Sequence, residues 1–461
     1  MTHKRRQMII QSLIGALILA SLAACRPSTP EQAKERPSPT LTARTPKSTF
    51  TPIPSTKTPT LVPTITPVES GMAQAPTTAG DGNKATPSLT NTPKAMATAT
   101  AAATTTPPST PSPASTKALR MDSPEYGMQA FPWWRPEVAS RDFQKIREAG
   151  FGWCKANFGW RDIEGAAKGA FDWSHTDRIV KLAEDVGLDL VVRVDHQPAW
   201  SGGGFPVNGP PDDYQDLADF LTALAGRYRG RIRAYEVWNE PNLAREWGGQ
   251  TPNPAAYVEM LGIAYQALKS ADPNAMVVSA GLSPTETWSD QVRPDDKYLE
   301  NMYIAMGNNS EGYFDVLGAH GAGYKSPPER DPAQVAANPS LGGSRAFCFR
   351  RVEDLRAIMV KHGDTNKQIA LLEFGWTSDP RPESPYNWHA VSEETKADYL
   401  VRAYQFAEEN WSPWIGLMSL IYICDPDWTP DDEQYWWAIT DPSYPEFEPR
   451  PAYTALKAMP K

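Results

Sequence analysis

Two glutamates far apart in the chain carry the strongest chemical signal. In Tyr235-Glu236-Val237-Trp238-Asn239-Glu240-Pro241-Asn242, an alternating strand pattern from Ile232 stops at Trp238. Pro241 lacks a backbone N–H and biases Glu240 toward extended geometry, so Glu240 falls where a strand gives way to a loop. Beside an indole, a carboxyl at such a rim can be kept protonated and used as an acid. Taken alone, Glu240 reads equally as a carboxylate paired with an arginine at a strand end. The second stretch, Gln368-Ile369-Ala370-Leu371-Leu372-Glu373-Phe374-Gly375-Trp376, is another apolar strand that ends in Glu373. Together the two place a pair of carboxyls at one end of one sheet, the requirement for acid–base and nucleophilic work on one bond.

Trp238-Asn239-Glu240-Pro241 and Leu372-Glu373-Phe374-Gly375 resemble the acid/base and nucleophile strands of the large clan of retaining glycoside hydrolases. The likeness is to families 5 and 39, cellulase-like and β-xylosidase-like. It implies an α/β fold, a (β/α)8 TIM barrel, with these glutamates after strands four and seven. It implies Glu240 as acid/base, Glu373 as nucleophile and Asn239 as a partner of the sugar 2-hydroxyl. Retention requires the two carboxyls about 5–5.5 Å apart. His320, or Tyr324 beyond it, is expected to donate to Glu373 and keep it ionised, while His320 also reads as a satisfied core histidine. Lys155 stands near the second-strand end, where family 5 usually has an arginine.

The elements that must position these groups follow from Met121 onward, where short apolar strands alternate with amphipathic helical patterns. Strands are expected at 126–131, 151–158, 188–195, 232–237, 275–280, 313–320, 368–373 and 415–424. Eight helical patterns accompany them, among them 138–148, 177–186 stopping at Gly187, 213–228, 254–270, 345–362, 393–409 with Ser392 as N-cap, and 452–458. Loops after the strands of such a barrel share one face, which also gathers His196, His320, Trp200, Trp376 and Trp428. The three indoles are candidate stacking surfaces for sugar rings, although each also reads as ordinary packing. Trp133, Trp134, Trp436 and Trp437 serve likewise or plug the barrel ends. The run Gly202-Gly203-Gly204 has no following Lys-Ser/Thr and reads as a flexible loop rather than a phosphate cradle.

Residues 1–25 read as a lipoprotein signal: Lys4-Arg5-Arg6, an apolar run from Met8 to Ala20, then Leu22-Ala23-Ala24-Cys25, which resembles a lipobox with Cys25 as the acylated residue. The apolar run is short for a membrane-spanning helix. Residues 26–120 are dense in Thr, Pro, Ser and Ala and cannot bury enough apolar surface to offset chain entropy. They read as a disordered tether with a reach of roughly 50–60 Å, holding the 121–461 domain off a membrane on an extracytoplasmic face. All 16 tryptophans lie at or after Trp133, so the part able to build a core is sharply bounded.

The net charge of −9 argues against a nucleic-acid partner held by phosphate contacts. The expected partners are an oligo- or polysaccharide and, through the lipid, a membrane. No cofactor is expected, and no His/Cys spacing resembles a metal ligand set. Cys154, Cys348 and Cys424 allow at most one internal disulfide, with a Cys348–Cys424 pair and three buried thiols both open. Two rivals to an enzyme remain at this stage. One is a lipid-anchored sugar-binding protein on a barrel scaffold, and the other is a two-lobed solute-binding lipoprotein.

Overall fold

The computed structural model describes residues 120–202 and 208–461. The signal segment with Cys25, the Thr/Pro-rich stretch up to residue 119, and residues 203–207 of the glycine loop lie outside the described residues. Among the described residues, eight parallel strands pair in chain order and close on themselves. They are β1 (Glu125–Gln129), β2 (Trp153–Gly159), β3 (Asp189–Asp195), β4 (Ala234–Val237), β5 (Met276–Ser279), β6 (Val316–Ala322), β7 (Gln368–Gly375) and β8 (Ile415–Leu420). The outer helices are α1 (Pro136–Glu148), α2 (Ser174–Val186), α3 (Tyr214–Arg227), α4 (Pro254–Ala271), α5 (Asp295–Ala305), α6 (Arg351–Lys361), α7 (Glu393–Trp411) and α8 (Pro451–Ala458). The fold is a (β/α)8 barrel.

Local chemistry explains most boundaries. Asn253 accepts from the amides of Ala255 and Ala256 just before Pro254 opens α4, and Ser392 accepts from Thr395 at the start of α7. Each satisfies amide donors that the first helical turn leaves without partners. Gly187 ends α2 at φ 74°, where a side chain would be strained. Three expectations needed correction. α5 has no counterpart among the expected helix ranges, its buried positions Tyr298, Leu299, Met302 and Tyr303 forming a narrow stripe among charged neighbours. α6 begins at Arg351 rather than 345, with Glu353 and Asp354 in the first turn, where the helix dipole favours acids. β8 stops at Leu420, and residues 421–424 lie beyond the strand, starting with a bend at Ile421.

Alternation along the strands builds the barrel interior in layers. The lowest layer is apolar: Trp153, Val191, Ala234, Met276, Val278, Val316, Ala370, Leu372 and Leu417 close around Met121. Gln368 anchors that plug, accepting from the Met121 amide at 2.9 Å and donating to its carbonyl at 3.0 Å. Two residues further along β2, β3 and β4 come Lys155, Arg193 and Glu236, all buried. A charged layer thus sits directly on the apolar one. Among the described residues, Cys154, Cys348 and Cys424 are free, buried thiols, so Cys348 and Cys424 do not pair.

Candidate active site

Glu373 reaches the barrel interior because of an irregularity in β7. Ala319 pairs with Leu371, but the next residue, His320, pairs with Glu373, so Leu372 is an extra residue in the ladder. A side-chain period of two would put Glu373 on the outer face with Leu371, opposite to Leu372. The bulge resets the phase and turns Glu373 inward behind Leu372. There Oε1 accepts from Lys155 Nζ at 3.0 Å and from Arg193 Nη1 at 3.2 Å. Burial raises the carboxyl's pKa, but the charges of Lys155, His320 and Arg193 outweigh it and hold Glu373 below the ordinary value.

Lys155 also lies 3.2 Å from Glu236 Oε2, and Arg193 joins Asp195 at 3.0 Å and Asn239 Oδ1 at 3.1 Å. Removing Lys155 would take its charge from Glu236 and Glu373 and leave Arg193 to serve both of them as well as Asp195. The expected cost of Lys155→Met is about 3–5 kcal/mol of folding stability, the usual penalty for orphaning a buried charge. Chemical denaturation checks it, and a loss under about 1 kcal/mol would show that the network tolerates the gap.

Glu240 is placed by a strained turn at the end of β4. Trp238 has φ 77° and Glu240 φ 37°, a region that bulky side chains seldom occupy. The turn is pinned by the Trp238 amide on the Val194 carbonyl at 2.9 Å and the Glu240 amide on the Gly281 carbonyl at 3.1 Å. Trp238 Nε1 donates to the Glu246 carbonyl at 2.8 Å. The Glu240 carboxylate then meets His320 Nδ1 at 3.1 Å through Oε1 and Arg245 Nη2 at 2.5 Å through Oε2. His320 can lie flat here because residue 281 is glycine; a Cβ there would sit 2.2 Å from the imidazole ring.

Two expectations about this pair are overturned. His320 contacts Glu240 rather than Glu373, and Tyr324 points its hydroxyl at the Pro284 carbonyl, 3.4 Å away. Nor does an indole keep Glu240 protonated. Burial raises its pKa, but the Arg245 charge and the His320 hydrogen bond reverse that, leaving it at about 2. The alternative of a strand-end glutamate paired with an arginine is realised.

The remaining candidates divide. Asn239 is buried beside Arg193. His196, at φ 62° after β3, sets Nδ1 2.5 Å from Asp195 and stays partly open. Trp200 is half-buried, bound through Nε1 to the Glu164 carbonyl at 2.6 Å and edge-on to Trp160. Trp428 is half-buried against Phe131 and Tyr422. Trp376 must be removed from the stacking candidates. It is fully buried, donates to the Ser326 carbonyl at 3.0 Å and packs on Phe349 and Tyr399. Of the four further indoles, Trp133 and Trp437 are buried, Trp436 is half-buried and Trp134 is 55 % exposed.

Arg193, Glu236 and Arg245 were missed from the sequence. Arg193 and Glu236 were visible in principle, since a charged residue inside an apolar parallel strand is seldom left without a partner. Arg245 carries no such mark, being one polar residue in a loop.

With the geometry established, likeness to known proteins can be placed on it. A family model described as Cellulase (glycosyl hydrolase family 5) matches residues 115–306, which include Glu240 but stop before Glu373. The Beta-xylosidase of Geobacillus stearothermophilus is 28% identical over 130 residues, covering 25% of this chain and 25% of that one. Endo-1,4-beta-xylanase 3 of Hypocrea jecorina is 28% identical over 125 residues, 25% of this chain and 34% of that one. The chain thus spans only a quarter to a third of the length of these curated relatives. A family 39 glycoside hydrolase from the gut symbiont Bacteroides cellulosilyticus WH2 superposes with a TM-score of 0.52 at 19% identity, covering 73% of this chain and 63% of that one. Residues 115–306 are therefore similar to family 5 cellulases, on a barrel fold shared with a family 39 glycoside hydrolase.

Proposed function

We propose that this protein hydrolyses β-linked glycosidic bonds by a retaining double displacement, with Glu373 as nucleophile and Glu240 as acid/base. One observation carries the reading: two buried carboxylates, delivered by β4 and β7 to one end of the barrel, sit in different surroundings. Glu373 is fixed by two cations that hold it ionised, as a nucleophile must be. The charge of Glu240 opposes ionisation of Glu373. Glu240 is held by a histidine and by an arginine whose side chain is 38% exposed.

In the first step a Glu373 oxygen attacks the anomeric carbon and the bond to the leaving oxygen breaks. That oxygen takes the proton of Glu240, leaving a glycosyl ester on Glu373. In the second step Glu240 removes a proton from water, whose oxygen attacks the same carbon and releases Glu373. Asn239, oriented by Arg193, is assigned to the sugar 2-hydroxyl. His196, Trp200 and Trp428 are assigned to the flanking sugar units.

The substrate class is a β-linked oligo- or polysaccharide. Xylosides and xylans come first for trial, because the curated relatives are named a xylosidase and a xylanase. The test is a panel of aryl glycosides and polysaccharides with wild type, Glu240→Gln and Glu373→Gln. Hydrolysis undiminished in both variants would remove the mechanism. Sugar binding without turnover by the wild type would favour a binding protein.

The site of action proposed is a membrane surface reached through acylated Cys25. Metabolic labelling with a fatty-acid probe is expected to mark wild type and leave Cys25→Ala unmarked. Label persisting in the variant would refute the anchor and leave the catalytic proposal standing.

A further inference from the structure

Lys155 serves two carboxylates at once. Its Nζ lies 3.0 Å from Glu373 Oε1 and 3.2 Å from Glu236 Oε2, and all three side chains are at most 2% exposed. Glu236 stands on β4 before Glu240, level with Arg193 in the ladder and one inward position above Ala234 of the apolar plug. Among the described residues, neither Glu236 oxygen has a hydrogen-bond partner. A buried carboxylate without hydrogen bonds is costly to keep, and its ion pair is with Lys155. The two displacement steps give Glu236 no task of its own.

Its position matters because the charge beside it changes during the reaction. In the free protein, Lys155 and Arg193 face three buried carboxylates, those of Glu236, Glu373 and Asp195. When Glu373 bonds to the anomeric carbon, the negative charge passes to Glu240, which has given its proton to the leaving oxygen. The two cations are then balanced by Glu236 and Asp195. Other groups bearing on this layer are His320 and Glu240 at Glu373, Glu246 at Arg193, His196 and Arg161 at Asp195, and Glu236 itself on Tyr257. Contacts that favour the Glu373 anion keep it ionised, but they also oppose the attack that consumes its charge.

Resting on the double-displacement reading, we infer that Glu236 is a positioning residue acting through Lys155: it draws the ammonium partly away from Glu373 so that the nucleophile can give up its charge, and it balances that ammonium while Glu373 is an ester. Without this carboxylate, Lys155 bears on Glu373 undivided. Attack is then slower and departure of Glu373 from the ester faster, because the undivided ammonium favours the anion in both directions. Damage to packing has a different signature, since it slows both steps.

The test follows the covalent intermediate in the full chain, with wild type, Glu236→Gln, Glu236→Met and Glu236→Asp. The probe is a dinitrophenyl glycoside carrying fluorine in place of the 2-hydroxyl, built on the sugar that the aryl glycoside panel shows to be cleaved. Intact-protein mass spectrometry reads the gain of one glycosyl group and, once excess probe is removed, its loss to water. In the two neutral variants the gain is expected to be slower and the loss faster, each by up to roughly tenfold, the effect of about one unit in the acidity of Glu373. Glu236→Asp keeps the charge and is expected to stay close to wild type in both. Circular dichroism identifies the folded variants, and two neutral replacements guard against one that fails to fold. Loss of the glycosyl group no faster than wild type in the folded neutral variants overturns the role of Glu236, as does Glu236→Asp behaving like them. If wild type still gains the glycosyl group in that case, the double-displacement reading survives. A wild type that turns over the parent glycoside without ever gaining it removes that reading and the inference with it.

Discussion

Glu373→Gln is expected to lower kcat by roughly 10⁴-fold or more, because a residue that forms the covalent intermediate has no substitute among its neighbours. Glutamine keeps the shape of the side chain and can still sit opposite His320 in the β7 ladder, so the fold should hold. What disappears is the negative oxygen that Lys155 and Arg193 are arranged to stabilise. Circular dichroism and a denaturation curve serve as controls for folding. The sign of the pH effect follows from the same contacts. The pKa of Glu373 is lowered, so the anion persists as pH falls and is lost only below the ordinary value. The acid limb of wild-type kcat/KM is therefore expected below about pH 4.3. An acid limb well above that value, or turnover by Glu373→Gln within tenfold of wild type, would show that another group attacks.

Glu240→Gln is expected to reduce kcat/KM by about 10²–10⁴-fold on substrates with poor leaving groups, the usual range for loss of general acid help. The loss should be much smaller on dinitrophenyl glycosides, whose departing oxygen requires no proton. With those substrates the first step stays fast while the second lacks its base, so a burst of phenolate followed by slow turnover should appear. Stopped-flow absorbance resolves the two phases. Equal losses on good and poor leaving groups, with no burst, would indicate that Glu240 acts by binding sugar rather than by moving protons. The Arg245 contact does not weaken this expectation. It lowers the pKa of the wild-type carboxyl, whereas the variant has no carboxyl to titrate.

How far the sequence alone could reach differs between the barrel and its site. The eight strands were legible because each is short, apolar and set between amphipathic helices, and a closed parallel barrel buries both faces of every strand. Glu240 and Glu373 were legible as strand-end carboxyls. Why Glu373 faces inward was not, because that depends on a single extra residue in β7, and no local pattern around Leu372 announces it. Arg193 and Glu236 stood in view as charges within apolar strands. Reading them as partners of Glu373 and Lys155 needed the register that aligns β2, β3 and β4. Trp376 failed as a stacking surface for a similar reason. Gly323 lets the neighbouring backbone close over the indole, where a Cβ would lie 1.8 Å from the ring. Arg245 was the least legible, since its contact with Glu240 is made by a long side chain folding back across a turn with two positive φ angles.

The central claim is that two carboxyls act in succession on one anomeric carbon, and the configuration of the first product tests it most directly. Proton NMR recorded during the first minutes of hydrolysis of a β-glycoside, before mutarotation mixes the anomers, distinguishes the outcomes. Two displacements predict that the β-anomer appears first and the α-anomer only later, as mutarotation proceeds. An α-anomer formed first would mean a single displacement by water, and Glu373 could not then be the nucleophile.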